Sequence, residues 1–175
     1  IDGRIIECVP LTEDTEGNKI DVGYVGKITK VNSGIIKSLC EDEYIPVIAP
    51  IGTDKNGQSY NINADTVASA VATAMGAEKL IYLTDVEGVK DNNGDIIFEI
   101  NTENAEKLIE DGTISGGMIP KSRACMEAVN QGVNRVHIID GRILHSIIAP
   151  ISASSRASLP RPMVAACSLI LPLWP

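Results

Sequence analysis

From Leu80 onward the chain switches repeatedly between two hydrophobic periods, and that alternation restricts the fold more than any other feature. Leu80-Ile81-Tyr82-Leu83-Thr84 is a short, continuous apolar run, the pattern of a strand buried on both faces. A helix over 64–75 precedes it, since Val67, Ala70, Val71 and Ala74 fall at i, i+3, i+4 and i+7. Asn63 is placed to cap that helix and Gly76 to stop it. Thr102 is expected to cap a second helix through Glu110, with Ala105, Leu108 and Ile109 inward and Gly112 beyond its end. Pro120 fits the first turn of a third, which runs to about Asn130 and stops at Gly132. Arg135-Val136-His137-Ile138-Ile139 is the next strand, followed by the turn Asp140-Gly141-Arg142 and a helical stretch around Leu144. Strands separated by helices in this way predict an α/β layered domain with a largely parallel sheet.

Upstream, residues 45–51 form an apolar run that reads as another buried strand. Residues 52–58 are a turn cluster whose Asn56-Gly57 supports a hairpin back through residues 59–62. Residues 21–31 alternate loosely, with Val22, Tyr24, Ile28 and Val31 apolar, and read as a further strand. No internal repeat is present.

Composition narrows the class of partner. Of the 175 residues, 44% are hydrophobic and 22% charged, which excludes wholesale disorder. Aromatic residues make up only 3%, so the core is aliphatic. The net charge is −8. An acidic chain with few aromatics lacks the electrostatic funnel and the stacking platforms of a nucleic-acid binder, and it does not suit an anionic membrane surface. Cys8, Cys40, Cys125 and Cys167 are widely spaced and only two histidines accompany them. That spacing predicts neither a metal site nor a disulfide framework, and points to a reducing, cytoplasmic setting. No secretory leader opens the chain and no initiator Met stands at its start, so a longer protein beginning upstream is expected. From Pro150 there is no Asp, Glu or Lys, and five of the nine prolines fall there. Residues 150–175 are therefore expected to be an atypical, disordered tail, too short in apolar run for the ~20 residues of a membrane helix.

Three polar constellations lie where ligands bind in open α/β sheets, off the carboxyl ends of strands. In Asn61-Ile62-Asn63-Ala64-Asp65, Asn63 and Asp65 serve either helix capping and the helix dipole or a polar ligand with a cationic group. In Thr84-Asp85-Val86-Glu87-Gly88-Val89, the aspartate either caps a turn or meets a nucleotide. The third is Gly112-Thr113-Ile114-Ser115-Gly116-Gly117-Met118-Ile119-Pro120-Lys121. There the glycines allow close backbone approach, and Lys121 sits at the unfavourable positive end of a helix. Lys121 is either a solvated lysine or, with helix amides, half of a phosphate site. His137 reads as a satisfied core residue and His145 as a surface one. The Asp91-Asn92-Asn93-Gly94-Asp95 run lacks the closing Glu of a calcium loop and reads as a turn.

On these residues the sequence resembles the acetylglutamate kinases of the amino-acid kinase superfamily. The matching stretches are residues 21–26, 45–52, 60–65, 83–89, 114–121 and 136–142, and the resemblance covers about residues 1 to 147. It implies a three-layer α/β/α amino-acid kinase fold with its N-terminal part missing. Residues 1–76 would be the remaining part of the substrate lobe and residues 77–149 the ATP-binding lobe. The implied reaction is transfer of the ATP γ-phosphoryl group to the side-chain carboxylate of N-acetyl-L-glutamate, a step of arginine biosynthesis. By position, Asn61 would bind acetylglutamate, Asp65 would hold the catalytic lysines and Lys121 would stabilise the moving phosphoryl group. Asp85, Val86, Glu87, Gly88, Val89 and Lys90, with Thr113, Ile114 and Ser115, would contact ATP. The resemblance also implies ATP with Mg²⁺ as co-substrate, no tightly bound cofactor, and self-association through the substrate lobe. The family's opening lysine and glycine-rich loops have no match here, so the chain alone is expected to be inactive. The alternatives are a kinase for glutamate, aspartate, carbamate or UMP, a non-catalytic nucleotide-binding module, and a non-functional gene fragment that does not fold stably.

Overall fold

The computed structural model describes residues 4–14, 16–148 and 163–167. Their strands form two sheets. The first contains β1 (Ile6–Pro10), β2 (Gly26–Val31), β3 (Ile51–Thr53) and β4 (Ser59–Asn61) in the order β2-β1-β3-β4. β1 runs antiparallel to β2 with a bulge between Glu7 and Cys8, parallel to β3, and β3 runs antiparallel to β4. The second contains β5 (Lys79–Thr84), β6 (Arg135–Asp140) and β7 (Met163–Cys167) in the order β6-β5-β7, parallel throughout. The helices are α1 (Ser33–Glu41), α2 (Ala64–Met75), α3 (Thr102–Glu110) and α4 (Met118–Asn130). The α/β class holds; the second sheet is parallel throughout, and the first is mainly antiparallel with one parallel pairing, β1 to β3. Among the described residues no helix is long and apolar enough to cross a membrane.

α2 organises both halves because it carries two adjacent apolar stripes. Val67, Val71 and Met75 face Ile6, Cys8, Ile36 and Ile62 of the first core. Ala68 and Ala72 face Leu80, Tyr82, Ala128 and Val133 of the second. Alanines on that side let β5 and α4 approach closely, so the helix is clamped between two cores rather than lying on one. Its ends are set by the residues expected. The Asn63 side chain accepts from the amides of Asp65 (2.9 Å) and Thr66 (3.1 Å), and Gly76 adopts φ +61°.

Several boundaries differ from expectation for identifiable reasons. Residues 45–49 do not form a strand: Pro46 and Pro50 lack amide donors, and Ile45 and Val47 are 90% and 95% exposed. The hairpin survives, shortened to β3 and β4. The Asp54 carboxylate shapes its turn by accepting from the amides of Asn56 (2.8 Å) and Gln58 (2.9 Å). The strand read over 21–31 begins only at Gly26, because Asp21 and Gly23 (φ +66°) make a turn first. α3 is capped by Asn101, whose side chain accepts from the Asn104 amide at 2.8 Å, and not by Thr102. α4 starts two residues before Pro120, and residues 141–147 form turns instead of a helix around Leu144. The expected disorder of residues 150–175 lies outside the described residues except at Met163–Cys167. There Met163–Cys167 pairs in parallel with β5 as β7.

Gly52 is where the first core tolerates no side chain. A Cβ there would lie 2.7 Å from Ile62 Cδ1 and 2.8 Å from Cys8 Sγ, both on buried residues. Gly52→Ala is expected to destabilise the fold by about 1–3 kcal/mol through overpacking. Gly34→Ala in α1, where a Cβ meets nothing within 4 Å, should be neutral or stabilising. Urea denaturation of the two variants checks the contrast.

Candidate active site

One face of the second sheet runs from core to chemistry. Leu80 pairs with Val136, Tyr82 with Ile138 and Thr84 with Asp140. The first two pairs lie under α2 and α4; the third is a buried polar pair at the carboxyl ends of the strands. α2 begins and α4 begins over this end of the sheet. Their first turns bring Asp65 and Lys121, 56 residues apart, into an ion pair of 2.7 Å. Their side chains are only 20% and 11% exposed, so Lys121 is not a solvated lysine. Its ammonium also lies over the Tyr82 ring, 5.1 Å from the centroid. The Tyr82 hydroxyl in turn donates to the Asp65 carbonyl oxygen at 3.0 Å. Asp65 Oδ1 is buried and has no hydrogen-bond partner among the described residues.

The helix amides play a smaller part than the sequence allowed. The amides of Met118 and Ile119 donate back to the carbonyls of Ser115 and Gly116 at 3.2 Å, and Pro120 has none. Charge at this end of α4 therefore comes from the Lys121 ammonium. A Cβ on Gly116 or Gly117 would meet nothing within 4 Å, so the surface over these glycines is open.

The residues proposed for ATP occupy two adjoining segments. Asp85 to Lys90 form the loop leaving β5, with Asp85, Val86 and Glu87 exposed. Thr84 Oγ1 donates to Asp85 Oδ1 at 3.3 Å, and Glu87 and Lys90 form an exposed pair of 2.7 Å. Gly88, at φ +147°, takes a backbone conformation that residues with a side chain rarely adopt. Thr113 joins the second segment to the turn after this loop: its hydroxyl donates to Asn92 Oδ1 at 3.1 Å. Ile114 is buried and its amide donates to Leu108, so what it can offer a ligand is backbone. Ser115 lies on the surface just before α4. Asn61, also exposed, ends β4, and its amide donates to the Tyr24 carbonyl at 2.8 Å. It stands four residues before Asp65 in the chain.

Two features escaped the sequence reading. Tyr82 passed as one more apolar residue of a strand, although it breaks an otherwise aliphatic run. Asp140 and Arg142 passed as turn residues. In the structure the buried Asp140 carboxylate accepts from Arg142 Nε at 2.9 Å, Nη2 at 2.8 Å and the Arg142 amide at 2.9 Å. These bonds, the guanidinium's first, pull Asp140 down to about 2. Asp85 and Glu87 lie near enough to Arg142 to favour its charge further, which gathers it with the loop of β5. The lowered carboxylate contributes stability fully present above the ordinary range near ~4 and lost as pH falls toward 2. Arg142→Ala should return the Asp140 titration toward ~4, read from its carboxyl carbon by NMR. His137 is not satisfied as expected: its Nε2 is buried without a partner among the described residues. Burial, with Lys79 and Arg135 nearby, lowers its pKa and keeps it neutral. Burial pushes the Cys125 thiol up to about 12, which makes it a poor nucleophile.

A cavity of about 440 Å³ lies elsewhere, between Arg4, Lys30 and the start of α1, and neither Asp65 nor Lys121 lines it. Among the described residues no three His, Cys, Asp or Glu side chains gather as a metal site.

Residues 6–140 match the model of the amino acid kinase family. The chain belongs to that family. An acetylglutamate kinase of Caldicellulosiruptor saccharolyticus is 50% identical over 153 residues, covering 86% of this chain and 52% of that kinase. The crystal structure of smu.665 from Streptococcus mutans UA159 superposes with TM-score 0.68 at 37% identity, covering 80% of this chain and 54% of that one. N-acetylglutamate synthase of Neisseria gonorrhoeae, at TM-score 0.75 and 24% identity over 83% of this chain and 33% of its own, shares the fold. The chain spans about half the length of the curated relatives it matches. Within the family, the elements carrying Asp65, Asp85, Lys121 and Asp140 all fall inside the matched region.

Proposed function

We propose that this chain supplies the ATP-binding lobe and part of the substrate lobe of an acetylglutamate kinase, which transfers the γ-phosphoryl group of ATP to the side-chain carboxylate of N-acetyl-L-glutamate. The observation that carries the reading is the Asp65–Lys121 pair, held at 2.7 Å where the parallel strands end, in a chain half identical to acetylglutamate kinases. A carboxylate oxygen of the substrate bonds to the γ-phosphorus as the bond from phosphorus to the β,γ-bridging oxygen breaks, giving an acyl phosphate and ADP. The acceptor carboxyl, with an ordinary pKa near ~4.3, is already ionised, so no general base is needed. The work left is positioning and charge neutralisation.

In this reading Lys121 places its ammonium against the transferring oxygens, and Asp65 fixes where that ammonium points. Asn61 binds acetylglutamate. The loop from Asp85 to Lys90 and the segment from Thr113 to Ser115 hold the nucleotide. Residues 1–76 serve the substrate lobe and 77–149 the nucleotide lobe, in a cytoplasmic protein that self-associates through the former. Mg²⁺ would arrive on the ATP phosphates and screen their charge, since the described residues offer it no ligand cluster of their own.

The test is a chain completed with the remaining half of the Caldicellulosiruptor saccharolyticus kinase, assayed by hydroxylamine trapping of the acyl phosphate. N-acetyl-L-glutamate is expected to be the preferred acceptor over glutamate, aspartate, carbamate and UMP. Preference for one of those would replace the substrate assignment. ATP binding without transfer to any of them would leave a nucleotide-binding module.

A further inference from the structure

Tyr82 is met from two helices of the site, by the Lys121 side chain of α4 and the Asp65 backbone carbonyl of α2. It is wholly buried, on the central strand β5. Its neighbours on that face are aliphatic or small: Leu80, Val136, Ile138, Ala68, Ala72 and Ala128. A leucine or isoleucine would fill such a place without burying a hydroxyl, and a buried hydroxyl is costly unless it is bonded. Here it is bonded, and to a particular atom: the carbonyl oxygen of Asp65 at 3.0 Å. That bond ties the first turn of α2 to β5. The face of the same ring lies 5.1 Å from Lys121 Nζ, the ammonium supplied by α4. Rings attract cations through their negative faces, more strongly where water is excluded, and the Lys121 side chain is only 11% exposed. Burial raises the phenol's pKa above its ordinary value, so it stays a donor across the physiological range.

We propose that Tyr82 is a positioning residue for Lys121: its ring fixes the direction of the ammonium, and its hydroxyl fixes the backbone of the aspartate that pairs with it. One contact reaches the lysine from the ring and one from Asp65. Without the ring, a flexible four-carbon side chain loses one of the contacts that restrain it, and the ammonium gains freedom to swing away from an incoming phosphate. The strand that carries Tyr82 continues into the loop from Asp85 to Lys90, so the lysine is registered to the element that holds the nucleotide. This inference rests on the proposed nucleotide reading for its consequence, and on the geometry alone for the positioning.

The experiment uses the chain itself, labelled with ¹³C at the lysine ε position, with Lys121→Arg to assign the signal. In the wild type the Lys121 ε protons are expected upfield of the other lysines, shifted by the ring current of Tyr82. Tyr82→Phe keeps the ring and should keep the shift; Tyr82→Leu should move the signal among the other lysines. MgATP affinity, measured by calorimetry, should fall roughly tenfold in Tyr82→Leu, with recovery of most of it in Tyr82→Phe. A Lys121 signal unshifted in the wild type overturns the proposal whether or not any variant folds. So does loss of stability in both variants with the signal and the affinity unchanged. No MgATP binding by any version, with the ring-current pattern intact, upholds the positioning role and removes the nucleotide reading instead.

Discussion

Asp65→Ala is expected to lower the unfolding free energy by about 3 kcal/mol or more, the largest stability effect of any single change at the site. The reason is what it leaves behind. Lys121 is only 11% exposed and its ammonium rests over Tyr82, so it keeps a charge shielded from water after losing its carboxylate. Asp65 also stands in the first turn of α2, where its negative charge meets the positive end of the helix. That interaction contributes ~0.3–1 kcal/mol more. The double change Asp65→Leu with Lys121→Met should be far milder, because removing both charges together strands neither. Urea denaturation of the single and double variants reads the difference. A single variant as stable as the wild type would show that Lys121 finds water readily, and would remove the basis for treating the pair as a preorganised unit.

The sequence made legible the elements whose ends and periods are local. α2 carries its cap and its stop within fourteen residues, and the structure places both as read; of the apolar face read at Val67, Ala70, Val71 and Ala74 only Val67 and Val71 are buried, beside Ala68, Ala72 and Met75. The hairpin of β3 and β4 follows from its Asn-Gly turn, β5 from an uninterrupted apolar run and β6 from one broken only by His137. β1 and α1 were not anticipated. β1 buries only Ile6 and Cys8 in five residues, and α1 buries only Ile36 and has no side-chain cap. Residues 45–49 show the converse failure. Their pattern is that of a strand, but pattern gives no partner, and among the described residues none pairs with them. Strand formation is decided between segments, and helix ends went astray where the local signal was shared by neighbours, as at Asn101 and Thr102 before α3.

The site divides the same way. Asn63 and Asp65 were read locally as cap and dipole, and Asn63 does cap. The pairing of Asp65 with a lysine 56 residues away has no local signature, and only the family resemblance implied it. Once the fold brings α2 and α4 to the same end of β5, the pair follows from burial. A lysine shielded from water at a helix N-terminus needs an anion, and Asp65 is the acidic residue in the first turn of the neighbouring helix. Tyr82 and Arg142 stayed hidden because each sits where a commoner residue type would look the same from sequence: a core strand and an exposed turn.

That geometry sets the largest functional expectation. In a completed chain, Lys121→Met should lower the rate of acyl phosphate formation by roughly 100- to 1000-fold, the usual loss when one preorganised electrostatic contact to a transition state is removed. Methionine preserves length and packing against the Tyr82 ring but carries no charge. The loss should therefore appear in kcat, while KM for N-acetyl-L-glutamate changes little. A rise in KM with kcat unchanged would mean that Lys121 binds ground state and transition state equally. Lys121→Arg keeps charge but not shape: its planar fork cannot keep the compact 2.7 Å contact with Asp65 and the stacking over Tyr82 in the same geometry. It should recover only part of the rate. If arginine restores full activity, net positive charge is all the site requires and the fixed direction of the ammonium has no catalytic consequence. If it restores little, what the paired carboxylate and the ring supply is aim, which is what a reaction without covalent assistance or a general base most needs.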